Sequence, residues 1–271
     1  MVSCDAGLTP MRAQVVVNNR VVSYLRWGDG EHHVVLLHGI TSSARTWWRV
    51  APVIANLGYT VTAFDMPGHG ESNLIGAHDI PSIAQHIANA ILTIGIIAPS
   101  IIGHSWGGAT AIHLASMLPV ARVTLVDPAV QMTPEHGASV VERYAEGVGD
   151  APHQTTGWLT ARHKLWHRCD VVWKAEALAQ CRREAVDGLF IHSGTWDLTE
   201  RITTLQAPTL CLVASTAATV IPAASQLMIQ QALQHNGGRY VQVDGTDHNM
   251  FRGGFDLTMP HLVNWLKKEH E

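Results

Sequence analysis

The residues best suited to chemistry lie at Gly103-His104-Ser105-Trp106-Gly107-Gly108. They follow an apolar run, Ser100-Ile101-Ile102, and precede Ala109-Thr110-Ala111-Ile112, which reads as helix. This is a G-x-S-x-G pattern in the strand–turn–helix setting that the pattern requires. Its glycines leave room for a tight turn and for close approach of helix and strand. Ser105 would project from the carboxyl edge of a sheet at a helix N-terminus, where backbone N–H groups favour a developing anion. The chemistry this suits is nucleophilic attack by the Ser105 hydroxyl.

A serine needs a base to take its proton, and imidazole titrates near neutral pH. The chain holds 17 histidines, so order and placement must choose among them. Gly245-Thr246-Asp247-His248-Asn249 follows the last candidate strand. A histidine there can reach a serine at the top of the sheet, in the order Ser, acid, His. His248 is therefore the expected base. Leu36-Leu37-His38-Gly39-Ile40-Thr41 is a strand running into a His-Gly loop. Its Ile40 N–H, with the Trp106 N–H, forms the expected oxyanion hole; losing one such donor costs about 10²–10³ in rate. His38 reads as a hydrogen-bonded loop residue.

Alternating strands and helices must position these groups. Candidate strands are Arg12 to Val17, Val21 to Trp27, Val34 to Leu37, Tyr59 to Phe64, Ser100 to Ile102, Val123 to Val126, Thr209 to Val213 and Tyr240 to Val243. Candidate helices are Ala44 to Leu57, Pro81 to Ile94, Trp106 to Met117, Pro222 to Gln234 and Phe255 to Lys268. That alternation predicts an α/β fold with a mostly parallel sheet, opened by an antiparallel hairpin at Asn18-Asn19. Residues 128–207 break the rhythm. They read as a helical insertion, with helices at Gly137 to Glu146, Thr156 to Arg168 and Val172 to Glu184 and no strong strand signal. The expected division is a core of residues 1–127 and 208–271 and a cap of residues 128–207.

Composition narrows the function classes. The 271 residues are 46% apolar and 15% charged, with a net charge of −4 and no basic run. Dedicated nucleic-acid binding and a polybasic membrane anchor are not expected. No Lys, Arg, Asp or Glu occurs between Asp79 and Arg122. A membrane span needs roughly 20 mainly apolar residues in one helix, and Gln85, His86, Asn89, Pro99, Gly103 and His104 interrupt this run, which reads as a buried helix–strand–helix unit. The four cysteines, Cys4, Cys169, Cys181 and Cys211, form no CxxC pair. Free thiols and a cytoplasmic location are expected, and Met1-Val2-Ser3-Cys4-Asp5 shows no signal-peptide pattern. His163 and His167 would share a helix face, but no carboxylate or cysteine completes a ligand set, so no metal is expected.

Together these motifs resemble the α/β-hydrolase superfamily over nearly the whole chain. Asp65-Met66-Pro67-Gly68-His69-Gly70-Glu71-Ser72 is similar to the family's loop after its fourth strand, and residues 128–207 sit where the family inserts a cap. The resemblance implies an eight-stranded sheet, a Ser–acid–His triad and no cofactor. Many members carry the acid after the penultimate strand, yet Ala214-Ser215-Thr216-Ala217-Ala218-Thr219-Val220-Ile221-Pro222 has no carboxylate. Some members take it from the end of the preceding strand, which here reads Val123-Thr124-Leu125-Val126-Asp127. Asp127 is then the expected acid, ahead of Asp247; Asp65 reads as a turn residue. The expected activity is hydrolysis of a small-molecule carboxylic ester or lactone with apolar groups. Carbon–carbon hydrolysis of ring-cleavage products and ligand binding without catalysis are the alternatives. An Asp nucleophile, as in haloalkane dehalogenases and epoxide hydrolases, does not fit Ser105.

Overall fold

Successive side chains of a strand point to opposite faces, so a strand buried on both sides must be apolar throughout. Val34-Val35-Leu36-Leu37 does this, with Val35 and Leu37 in one core and Val34 and Leu36 in the other. Ile101 and Ile102 divide in the same way, as do Leu125 and Val126. The computed structural model describes Cys4, residues 7–235 and residues 237–267. Its strands are β1 (Met11–Val17), β2 (Arg20–Trp27), β3 (His32–Leu37), β4 (Tyr59–Phe64), β5 (Ser100–His104), β6 (Arg122–Val126), β7 (Gln131–Met132), β8 (Trp196–Asp197), β9 (Thr209–Val213) and β10 (Arg239–Gln242). Eight of them form one sheet in the order β1-β2-β4-β3-β5-β6-β9-β10. The β1–β2 and β2–β4 pairs are antiparallel and the rest parallel.

Helices cover both faces. On one side lie α1 (Val50–Ala55) and, near the chain's end, α10 (Phe255–Lys267), which bring Val50, Ile54, Met259, Leu262 and Leu266 to the core. On the other lie α2 (Ile80–Thr93), α3 (Trp106–Met117) and α9 (Ala223–His235), which bring Ile83, Ile87, Ile91, Ala109, Ile112 and Ile229. The long uncharged run is thus α2, β5 and α3, packed inside the protein. Among the described residues no helix is long and apolar enough to cross a membrane. Lys268, the last residue of the expected terminal helix, lies outside the described residues, as do Met1 to Ser3.

Three expectations about local structure need correction. The helix expected over Ala44 to Leu57 is a 3₁₀ turn, Ala44–Trp47, followed by the short α1. Its two tryptophans go to different partners: Trp47 packs on Phe251, while the Trp48 indole N–H donates to Asp170 Oδ1 at 2.8 Å. Residues 128–207 contain α4 (Pro134–Ala145), α5 (Pro152–Arg162), α6 (Arg168–Gln180), α7 (Arg183–Asp187) and α8 (Thr199–Thr203), so the helix expected over Thr156 to Arg168 is interrupted. A capping arrangement explains the interruption. Asp170 Oδ2 accepts the His167 N–H at 3.2 Å, and His167 Nδ1 accepts the Cys169 N–H at 3.2 Å, which starts a new helix at Arg168. His163 and His167 therefore sit at the ends of different helices. Finally, the insertion does contain strands: β7 and β8 pair antiparallel and tie its two ends together.

The thiols also differ from expectation. Cys4 and Cys169 are joined in a disulfide across 165 residues, which ties Cys4 to α6. Sequence separation hides such a pair, because only the fold brings the two residues together. The bond removes the support that free thiols lent to a cytoplasmic location, since such bonds persist mainly in oxidising compartments. Cys181 and Cys211 are free and buried. Thiol titration of the denatured, unreduced protein should count two thiols per chain, and four would show that the bond does not form.

Candidate active site

Ser105 sits between β5 and α3 with φ 55° and ψ −118°, a conformation that non-glycine residues rarely adopt. Such a backbone costs on the order of 1–3 kcal/mol and persists only where its surroundings hold it. Here the Ser105 N–H donates to Val126 O at 3.0 Å, and Ser105 O accepts from the N–H groups of Gly108, Ala109 and Ala129. The turn also depends on missing side chains. A Cβ at Gly107 would stand 2.2 Å from Leu37 O, and one at Gly103 would stand 2.2 Å from Gly107 O. Strand, turn and helix can meet at this distance only with glycine at both positions.

His248 arrives on the loop after β10. Its Nε2 lies 3.0 Å from Ser105 Oγ and its Nδ1 2.6 Å from Asp127 Oδ2. A carboxylate can only accept, so Nδ1 carries the proton and Nε2 presents its lone pair to the serine hydroxyl. The loop is held by His104, whose Nε2–H donates to His248 O at 2.8 Å. Burial and the neighbouring His248 push His104 down to about 3, which keeps it neutral.

Asp127 ends β6 with a positive φ of 42° and a fully buried side chain. Burial alone would push its carboxyl up. Hydrogen bonds from His248, Thr219 and the Val220 N–H outweigh that and hold it below the usual carboxylate range. Oδ1 accepts from the Ala214 N–H at 3.2 Å and from Thr219 Oγ1 at 2.5 Å, and Oδ2 accepts from the Val220 N–H at 3.2 Å. The turn that lacks a carboxylate of its own thus supplies donors to one on the neighbouring strand. Thr219 was open to view in the sequence, but nothing there linked it to Asp127. Asp247 accepts the Asn249 N–H at 2.7 Å within its own loop. Asp65 is fully buried and joins Arg12, the Ala44 N–H and the Glu71 N–H.

Ile40 and Trp106 both border the space at Ser105. Trp106 opens α3, and a helix cannot satisfy the N–H groups of its own first turn. Neither the Ile40 nor the Trp106 N–H meets a protein acceptor among the described residues. The loop behind Ile40 is built on two buried histidines. His38 Nδ1–H donates to Gly39 O and its Nε2 accepts the Met66 N–H, at 2.8 and 2.9 Å. His69 Nδ1–H donates to Pro67 O and its Nε2 accepts the Thr41 N–H, both at 3.0 Å.

Two cavities meet at Ser105. One, of about 130 Å³, is lined by the Gly39–Ser42 loop, His248, and residues of the insertion that include Trp158, Trp166 and Lys174. The other, of about 60 Å³, is lined by Met132, Leu189, Phe190 and Trp196. Lys174 and Arg252, which line the larger cavity, lie in no motif, so sequence alone does not single them out.

The comparisons with known proteins agree with this fold. A family model described as alpha/beta hydrolase fold matches residues 32–151, the stretch that holds Ile40, Ser105 and Asp127. Esterase Rv0045c of Mycobacterium tuberculosis is 36% identical over 129 residues, which are 46% of this chain and 40% of that protein. The chain thus spans less than half the length of that relative. The (E)-2-((N-methylformamido)methylene)succinate hydrolase of Acinetobacter baylyi is 23% identical over 92% of this chain and 95% of its own. The solved N-formylmaleamic acid deformylase of Pseudomonas putida S16 superposes with a TM-score of 0.80 at 21% identity, over 94% of this chain and 100% of that one. The sheet order and the serine turn after the fifth strand are those of the α/β-hydrolase fold, and residues 32–151 match that family's model.

Proposed function

We propose that this protein is a serine hydrolase of carboxylic esters, lactones among them, acting through an acyl-enzyme. The observation that carries this reading is the hydrogen-bonded line Ser105 Oγ–His248 Nε2, His248 Nδ1–Asp127 Oδ2, at 3.0 and 2.6 Å. In the first half-reaction Ser105 Oγ bonds to the substrate carbonyl carbon and its proton passes to His248 Nε2. The N–H groups of Ile40 and Trp106 stabilise the carbonyl oxygen as it becomes negative. The ester C–O bond then breaks, and His248 gives its proton to the leaving alcohol. Water repeats the sequence on the acyl-enzyme, with His248 again taking and returning a proton, and frees the acid and Ser105. Asp127 holds the Nδ1–H tautomer and balances the imidazolium.

Residues 128–207 act in this reading as a cap, which is supported by their lining of both cavities at Ser105. Met132, Leu189, Phe190 and Trp196 suit an apolar substrate group of small to medium size. The test is hydrolysis of p-nitrophenyl esters, from acetate to long acyl chains, by wild type and by Ser105→Ala. The variant should lose at least about 10⁴-fold in kcat. Equal turnover by both proteins would remove Ser105 from the chemistry. Absence of turnover by wild type would favour carbon–carbon hydrolysis or binding without catalysis.

A further inference from the structure

The larger cavity at Ser105 has an unbalanced charge. Lys174, on α6, reaches the loop behind Ile40, where its Nζ donates to Thr41 O and Thr41 Oγ1, both at 2.7 Å. Arg252 is 94% buried, at 6% exposure, and its guanidinium donates to Asn249 Oδ1, Ser42 Oγ and Thr46 Oγ1 at 2.6, 3.0 and 3.2 Å. All of these partners are neutral. Neither cation has a carboxylate within salt-bridge distance among the described residues. Asp170 and Asp247 act on Arg252 only from beyond that distance, Asp247 accepts the Asn249 N–H, and the other acids nearby already hold cations of their own. Asp170 binds Arg49 at 2.9 Å, and Glu146, which lines the cavity, binds Arg162 at 2.8 Å.

A buried cation without a counter-charge is costly, and proteins normally pair it or neutralise it. Burial and the neighbouring Arg252 push Lys174 down to about 7, and burial pushes Arg252 down to about 10. Lys174 and Arg252 both line the space above the serine. The two cations dock on adjacent residues, Thr41 and Ser42, of the loop that also carries Ile40. An anion in this cavity would therefore sit beside the carbonyl that Ser105 attacks.

We infer that the substrate carries a carboxylate, which Lys174 and Arg252 bind in the larger cavity while an apolar group fills the smaller one. The inference deepens the hydrolase reading above and rests on it for the position of the scissile bond. A substrate of this kind has one polar and one apolar end, and the two unlike cavities select its orientation across Ser105.

Two pairs of matched esters test this, with the carboxylate on either side of the scissile bond. They are 4-nitrophenyl hemisuccinate against 4-nitrophenyl butyrate, and 4-acetoxybenzoate against phenyl acetate. In at least one pair the charged ester should have a kcat/KM about tenfold or more above its neutral partner at low salt. Lys174→Met should reduce that ratio by about tenfold or more, and Lys174→Arg should restore part of it. A lysine that only shaped the Thr41 loop would instead lower both members of a pair alike. Ratios near one in both pairs, or a ratio unmoved by Lys174→Met, would overturn the inference while leaving the hydrolase reading intact. If wild type turns over none of these esters, the hydrolase reading fails, and calorimetry with succinate on Ser105→Ala decides. Succinate binding weakened by Lys174→Met supports the anion site, and no detectable binding overturns it.

Discussion

Replacing Asp127 by asparagine is expected to lower kcat for a p-nitrophenyl ester by about 10⁴-fold while the protein stays folded. The size of the effect follows from who donates to whom. Asp127 accepts four hydrogen bonds, two on each oxygen: Ala214 N–H and Thr219 O–H on Oδ1, His248 Nδ1–H and Val220 N–H on Oδ2. Asparagine can accept on one side only. If its NH₂ faces His248, the imidazole must present its Nδ1 lone pair and move its proton to Nε2. Nε2 then meets Ser105 Oγ as a donor and cannot take the hydroxyl proton. If the NH₂ faces Ala214 and Thr219 instead, a buried N–H is left unpaired, at a cost of about 1–3 kcal/mol. The first arrangement sets the NH₂ against one fixed donor, the Val220 N–H, because the imidazole can change tautomer, whereas the second sets it against both Ala214 N–H and Thr219 O–H; the first is expected, and it loses the base. Turnover within tenfold of wild type, with an unchanged circular dichroism spectrum, would remove Asp127 from the mechanism.

Acid should unfold this protein, and His38 and His69 should set much of the slope. Both rings are fully buried and use both nitrogens, one as donor to a carbonyl and one as acceptor from a backbone N–H. A proton on either ring would set N–H against the Met66 or Thr41 N–H. Burial pushes each down to about 3, with Lys174 nearby acting in the same direction. In the unfolded chain they protonate near the ordinary histidine value of about 6.5. Between those two values the unfolded state binds more protons than the native state, so stability falls as pH falls. Each ring contributes at most about 1.4 kcal/mol per pH unit. Together they would remove roughly 4–5 kcal/mol between pH 6.5 and 4.5, a large part of a typical 5–15 kcal/mol. Urea-unfolding free energies at several pH values would show this directly, and stability that stayed level from pH 7 to pH 4.5 would refute it. Because Thr41 hangs from His69, the loop behind Ile40 should loosen early in that transition.

What the sequence determined by itself is what short stretches of chain decide. The apolar strands and the Gly103 to Gly107 turn are of this kind, because strand, serine and helix lie within a few residues and two glycines alone permit their approach. The strands were readable because burial on both faces requires apolar residues at every position. His248 was legible from its place after the final strand, and Asp127 from its place at the end of β6, though only by its position in a chain order. The interior of residues 128–207 was read less well. The cap that divides α5 from α6 is set by one side chain, Asp170, whose two oxygens are shared among His167, Trp48 and Arg49. Two of those partners lie more than a hundred residues away.

Tertiary structure alone decided the rest. Asp127 is kept ionised by His248, 121 residues distant, and by donors 87 to 93 residues distant in a turn that looked empty because it holds no acid. Cys4 meets Cys169 across 165 residues. Lys174 and Arg252 reach one loop from separate parts of the chain, and no local pattern marks either of them. The physical reason is common to all three. Backbone geometry is governed by near neighbours, which sequence displays, whereas the charge and hydrogen bonding of a buried group depend on whatever the fold packs against it.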